Sequence, residues 1–197
     1  MFSSIRVSLL CVLATMPAAF FGGGIVNAQI VATPYSYDTI LDAGSPVFNR
    51  PVSGIPPTTI SASGTAVSYG ALFFIPDTTG SYSIETTAAT LAPGAFDDTF
   101  LVLYQGSFNP ASPLTNALAA DDDAGVGSLS LFSQNLTAGT SYFLITTTFS
   151  NAVFGQITTR ISGPPGSSLN LSAIPEPGSA AILGLSAIGL ILRRRKK

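Results

Sequence analysis

Between residues 29 and 174, turn-forming clusters recur about every ten positions, and no stretch of about twelve residues carries a convincing 3.6-residue apolar repeat. A helix buries one face by repeating apolar residues with that period, whereas a strand does so by alternating them. Short strands are therefore the elements available to this region. Residues 67–75 (VSYGALFFI) run into the turn cluster Pro76-Asp77-Thr78-Thr79-Gly80, and residues 81–87 (SYSIETT) place Tyr82 and Ile84 on one face. Residues 99–104 (TFLVLY) form a continuous apolar run, as expected of a strand covered on both sides. Residues 128–132, 141–148 and 156–161 follow, and 58–62 and a segment around Ile40 are earlier candidates. Phe100, Leu101, Leu103, Phe143 and Ile145 are expected in the core. Seven or eight short strands with hydroxyl-rich solvent faces predict an all-β fold, a single β-sandwich of jelly-roll type spanning 29–174. Residues 29–60 are rich in Pro, Gly, Ser and Thr, a composition that fits either edge strands or a loose N-terminal arm.

Side-chain chemistry restricts what such a domain can do. The chain has no histidine, and its only cysteine, Cys11, lies outside residues 29–174. Thiolate zinc sites, disulfides, Cys–His nucleophiles and the Ser–His–Asp arrangement are excluded together. The same region has nine acidic residues, two arginines (Arg50 and Arg160) and no lysine, a net charge of −7. Nucleic acid is therefore not expected as a partner. No cofactor-binding glycine motif or nucleophile elbow occurs. Carboxylates, hydroxyls and two guanidinium groups remain. They suffice for a metal site, or for an aspartate pair such as Asp98 and Asp122, but the reading favoured is a protein that is not an enzyme and needs no cofactor.

The two ends read as addresses. Residues 1–28 (MFSSIRVSLLCVLATMPAAFFGGGIVNA) place Arg6 before an apolar stretch, then three glycines, with Val26 and Ala28 at the −3 and −1 positions of a cleavage site. This is the layout of a signal peptide cleaved after Ala28, and the glycines disfavour an uncleaved spanning helix. At the other end, Pro175 and Pro177 stop any helix from continuing out of the domain. A short helix over 180–192 is then apolar or small on every face and is followed by Arg193, Arg194, Arg195, Lys196 and Lys197. Its 13 residues would reach only about 20 Å against a hydrocarbon layer of about 30 Å. Length alone leaves a marginal transmembrane span and a surface-lying helix both open, with the cations on the cytoplasmic side.

Pro175-Glu176-Pro177, a short apolar helix and a terminal Arg/Lys cluster, in that order, resemble the PEP-CTERM protein-sorting signal. The resemblance covers about 23 residues. It implies an exported protein of a Gram-negative bacterium that makes extracellular polymers, held at the inner membrane as a precursor. It also implies an exosortase, a transpeptidase-like membrane enzyme, as the partner that removes the tail. The domain itself resembles a second family. The succession GSYSI, FDDTFLVLY, DDDAG, LTAGTSYFLI and a closing ISGP, over roughly residues 80–164, is similar to the bacterial pre-peptidase C-terminal domain. That resemblance implies a jelly-roll accessory module, here without an attached protease, and some members of that family bind calcium.

Asp97 and Asp98 precede the run at 99–104, and Asp121, Asp122 and Asp123 follow some 20 residues later. If the intervening strands lie side by side, five carboxylates converge at one end of the sandwich. Carboxylate and carbonyl oxygens are what calcium selects, and Gly125 and Gly127 would let the backbone bend to present carbonyls. The spacing is not that of an EF-hand, and a solvated acidic turn is the competing reading. Six tyrosines (35, 37, 69, 82, 104 and 142) offer either sugar-stacking rings or ordinary core residues. Together these features describe an exported, non-enzymatic protein of the cell surface or extracellular matrix. The alternative is a carbohydrate- or calcium-binding module, with extracellular polysaccharide as the polymer partner.

Overall fold

Thr99 to Tyr104 are six consecutive buried residues, and both faces of their strand are covered. The alternation of a strand sends Leu101 and Leu103 one way and Phe100, Val102 and Tyr104 the other. The computed structural model describes residues 29–93 and 96–171, and the rest of the fold can be built outward from this central strand. The described residues form eleven strands and no helix. They are β1 (Gln29–Ala32), β2 (Tyr35–Leu41), β3 (Val47–Phe48), β4 (Val67–Pro76), β5 (Gly80–Ala92) and β6 (Thr99–Gln105), followed by β7 (Ala117–Asp121), β8 (Leu131–Leu136), β9 (Tyr142–Thr148), β10 (Phe154–Ser162) and β11 (Ser168–Leu171).

All strand pairings are antiparallel, in two sheets. The larger has the order β1-β11-β4-β9-β6-β7, with β3 pairing β4 outside that path. The smaller has the order β2-β10-β5-β8. The core between the sheets takes Phe74, Leu101, Leu103 and Leu144 from the larger sheet and Tyr82, Ile84, Phe132 and Ile161 from the smaller.

The second face of the larger sheet is closed by the segments around β3 and after β6, not by a third sheet. Phe48, Tyr69 and Phe108 meet edge to face, with centroids 5.2–5.6 Å apart, and Phe108 also packs on Tyr104 at 4.8 Å. The Tyr104 hydroxyl, buried here, donates to the Pro113 carbonyl at 2.8 Å. Arg50 is 2% exposed, and its guanidinium lies over the rings of Phe100 and Phe149, 4.2 and 4.1 Å from the centroids. Its Nε donates to the Phe149 carbonyl and its Nη1 to the Pro51 carbonyl. A Cβ at Gly64 would stand 2.5 Å from Arg50 Nε, so only glycine lets the chain pass over that side chain.

Several sequence expectations are refined. Residues 29–60 provide β1 and β2 at edges of the two sheets, and β3 pairs with β4. The 58–62 candidate makes only an isolated bridge, Pro51 to Ile60, because Pro56 and Pro57 interrupt any ladder. The strand expected at 128–132 starts later, at Leu131. Not every hydroxyl faces solvent: Thr86, Thr99, Ser130, Thr146, Thr147, Thr148 and Thr159 are buried. Most of them bond within the fold, as Thr147 Oγ1 does to the Ser68 carbonyl at 2.6 Å and Tyr37 OH to Thr146 Oγ1 at 3.1 Å. Of the five expected core residues, Phe143 is the exception. It is only half-buried, stacked edge to face on Phe73 at 5.1 Å. The described residues contain no helix able to cross a membrane, and the segments expected as signal peptide (1–28) and apolar helix (180–192) lie outside them.

This geometry separates two phenylalanines of the same size. Phe100→Ala opens a cavity beneath Arg50 and should cost about 3–5 kcal/mol, whereas Phe143→Ala should cost about half as much. Chemical denaturation of the two variants against the parent measures both.

Candidate metal centre

The register between β6 and β7 places Leu101 opposite Asp121, so the chain entering β6 and the chain leaving β7 meet at one end of the larger sheet. Asp98 is held there by its own backbone, whose carbonyl accepts from Phe149 N–H at 3.1 Å. One carboxylate oxygen from each of Asp98, Asp122 and Asp123 lies within 4.8 Å of the others. Three of the five expected aspartates are thus brought together.

The other two have structural work. Asp97 turns away, and its Oδ1 accepts from Leu91 N–H at 2.7 Å, tying the chain before β6 to the end of β5. Asp121 Oδ2 accepts from Ala124 N–H at 3.1 Å and Leu131 N–H at 2.8 Å, closing the loop between β7 and β8. The expectation that all five converge as ligands is corrected accordingly: Asp97 and Asp121 shape the loops that carry the other three. Gly125 donates its N–H to the Leu129 carbonyl at 2.8 Å, and a Cβ there would stand 2.5 Å from that oxygen. Gly127 has a φ of +69°, which an L side chain resists. The two glycines give this loop its bend.

The electrostatics of the trio are unfavourable without a cation. The Oδ1 atoms of Asp98 and Asp122 are buried and find no hydrogen-bond partner among the described residues. A buried carboxylate oxygen in that state loses its hydration without replacement. Burial, then the neighbouring Asp123 carboxylate, pushes Asp98 above the usual carboxylate range, and the Arg50 charge partly restrains it. Asp122 is pushed up to about 7, first by burial, then by Asp123 and Asp98, again restrained by Arg50. Arg50 itself is lowered by burial and held up by Asp122 and Asp98. No ion pair joins them: among the described residues the one salt bridge is Arg160 to Glu85 at 2.7 Å, on the surface, where such pairs contribute little.

Three ionised carboxylates beside one buried guanidinium leave two negative charges, which a divalent cation would neutralise. The trio fits a hard, oxygen-preferring ion such as calcium, whose remaining positions would fall to backbone carbonyls and water. Arg50 is the site residue that sequence reasoning missed. Its isolation was the available signal, since it is the only cationic side chain between residues 29 and 159.

The remaining expected positions fall in two groups. Ala28, Pro175, Glu176, Pro177, Arg193, Arg194 and Arg195 lie outside the described residues. The six tyrosines do not form a stacking surface. Tyr82, Tyr104 and Tyr142 are buried, Tyr69 is half-buried in the aromatic cluster, and Tyr35 and Tyr37 stack on each other at 5.9 Å, also half-buried.

Comparison with protein families finds the PEP-CTERM protein-sorting motif at residues 173–196. The motif indicates an exported protein targeted to an exosortase, passing through a membrane-anchored precursor. Comparison with curated proteins finds no match.

The raised carboxylate has a definite pH signature. Asp122 binds its proton more tightly in the folded state, so its contribution to stability is full below the unfolded carboxylate value near 3.8 and is lost as pH rises through about 7. In the presence of a chelator, the melting temperature should rise as pH is lowered from 8 towards 5. Asp122→Asn should flatten that rise and melt higher than the parent at pH 8.

Proposed function

We propose that the domain is a non-enzymatic module of the cell surface or extracellular matrix, delivered there when an exosortase-type enzyme removes its C-terminal tail. The observation that carries this reading is the sorting motif at residues 173–196. It is supported by the chemistry absent from residues 29–174, which contain no histidine, cysteine or lysine to serve as nucleophile or base. The strand order and the succession of acidic loops support treating the domain as a jelly-roll of the pre-peptidase C-terminal type. Extracellular polysaccharide is the partner this reading favours. Mature protein from the native host should begin at Gln29 and lack most of residues 178–197, as read by intact mass. Replacing Pro175, Glu176 and Pro177 with alanine should leave the precursor in the inner membrane, and an unchanged mature species from that variant would remove the basis of the sorting claim.

A second reading adds a function to the same module. The buried, unpartnered oxygens of Asp98 and Asp122, facing Asp123, favour a calcium site at that end of the sandwich. Calcium would relieve the mutual repulsion and bind the folded state alone. At about 100 times the dissociation constant, calcium should raise the melting temperature by roughly 5–10 °C. The double variant Asp98→Asn, Asp122→Asn should lose that rise and melt slightly higher than the parent in chelator. Identical melting curves for the parent in chelator and in millimolar calcium would leave the trio as solvated loop residues.

A further inference from the structure

The two loops that carry the acidic trio also carry exposed apolar side chains. Phe96, two residues before Asp98, is 75% exposed, and Val126, three residues after Asp123, is 87% exposed. With Ala88, Ala89 and Leu129 they line one open, largely apolar groove at the end of the sandwich. Ile30 and Ile40 are comparably exposed, but they sit singly on separate edge strands, β1 and β2. An apolar patch built from two loops is the kind of surface that marks a contact site.

The direction of the chain at its two exits indicates what covers it. Gln29 pairs with Leu171, and Ala32 with Ser168. Leu169 and Leu171 face Pro76 and Phe74, so β11 runs along β4 from Pro76 to Phe74, in the direction of Tyr69. Tyr69 faces Thr147 in β9, and the next β9 residue, Thr148, faces Thr99 at the start of β6. Both exits, backwards from Gln29 and onwards from Leu171, therefore head for the end of the sandwich that carries Phe96 and Val126. Leu171 is level with Tyr142, six residues of β9 below Thr148, or roughly 20 Å. From Leu171 to the first residue of the apolar run, Ala180, the chain spans at most about 30 Å. That run can therefore begin about 10 Å beyond Thr99, the distance that the three residues from Thr99 back to Phe96 can project. The domain has no lysine with which to seek anionic headgroups, so apolar contact is the interaction open to this end.

We propose that in the tail-anchored precursor this end of the sandwich rests on the bilayer, with Phe96 and Val126 entering the lipid interface. The proposal rests on the sorting-tail reading for the anchor, and on the loops alone for the contact. Two apolar side chains bind a bilayer weakly in solution. The anchor supplies a high effective concentration, so the contact persists until the tail is cut and is lost on release. The resting orientation would present the Pro175-Glu176-Pro177 segment at the membrane surface, where a membrane enzyme can reach it.

The test uses the tail-bearing chain in zwitterionic phosphatidylcholine vesicles containing a spin-labelled quencher lipid. An environment-sensitive fluorophore is attached at Phe96→Cys, Val126→Cys or, at the opposite end, Ser112→Cys. All three side chains are exposed, so none of the substitutions should unfold the domain. Quenching at 96 and 126 should exceed that at 112 by about threefold or more, and should fall to the level at 112 when the tail is cleaved. Equal quenching at the three positions of the anchored chain would overturn the proposal while leaving the sorting reading intact. So would a blue-shifted emission at 96 without lipid quenching that vanishes at one copy per vesicle, which would assign the patch to a second copy of the chain. A blue shift without lipid quenching that needs added polysaccharide would also overturn it and assign the patch to the polymer. Failure of the chain to stay with the vesicles at all would instead overturn the anchor.

Discussion

The guanidinium of Arg50 holds together the parts of this domain that no ladder of backbone hydrogen bonds connects. It is buried between the rings of Phe100 and Phe149, where a desolvated cation over an aromatic face is held strongly. Its donors take the Phe149 and Pro51 carbonyls, which fixes the segment after β3 across the outer face of the larger sheet. That cover is what allows β6 to be apolar on both sides. The same charge restrains the rise of the Asp98 and Asp122 carboxyls. Cover and acidic end are thus coupled through one side chain, and loss of its charge would leave two buried carboxylates opposed by nothing.

The parts of the fold that were legible in the sequence are those whose burial is decided locally. The run at 99–104 declared itself because both of its faces are covered, and the stretch at 67–75 ended at a turn cluster that the structure also uses. The strand β7 was not legible. Its sequence, ALAAD, has little strand preference of its own, and it pairs because β6 lies on one side and Gly54 bridges to Ala120 on the other. The short strands β1 and β11 depend on each other and on β4 in the same way. Arg50 sits in a Pro- and Gly-rich stretch that composition alone could not distinguish from a loose arm.

The acidic end shows the same division. Convergence of the aspartates followed from supposing that neighbouring strands carry them, and the β6–β7 pairing supplies that neighbourhood. The separation of three free carboxylates from two structural ones depends on which backbone N–H groups lie nearby. Leu91 and Leu131 are those donors, and both belong to strands of the other sheet. Apart from the Asp121 bond to Ala124 N–H, which is local, local sequence holds no record of such contacts, so Asp97 and Asp98 are adjacent in the chain yet opposite in role.

The pairing of Gln29 with Leu171 also has a mechanical meaning. Because β1 and β11 are antiparallel and both leave the sheet at the same end, tension between the two exits, while the signal peptide and the tail are both still attached, would load their hydrogen bonds one after another instead of all together. The strand pair at the edge would peel open like a zipper while β4, β9 and β6 stayed closed behind it. A domain pulled between an anchored tail and a bound polymer elsewhere on its surface would escape that geometry, since the load would then cross the broad face of the sheet. Where such a module is gripped therefore decides whether it yields early or resists.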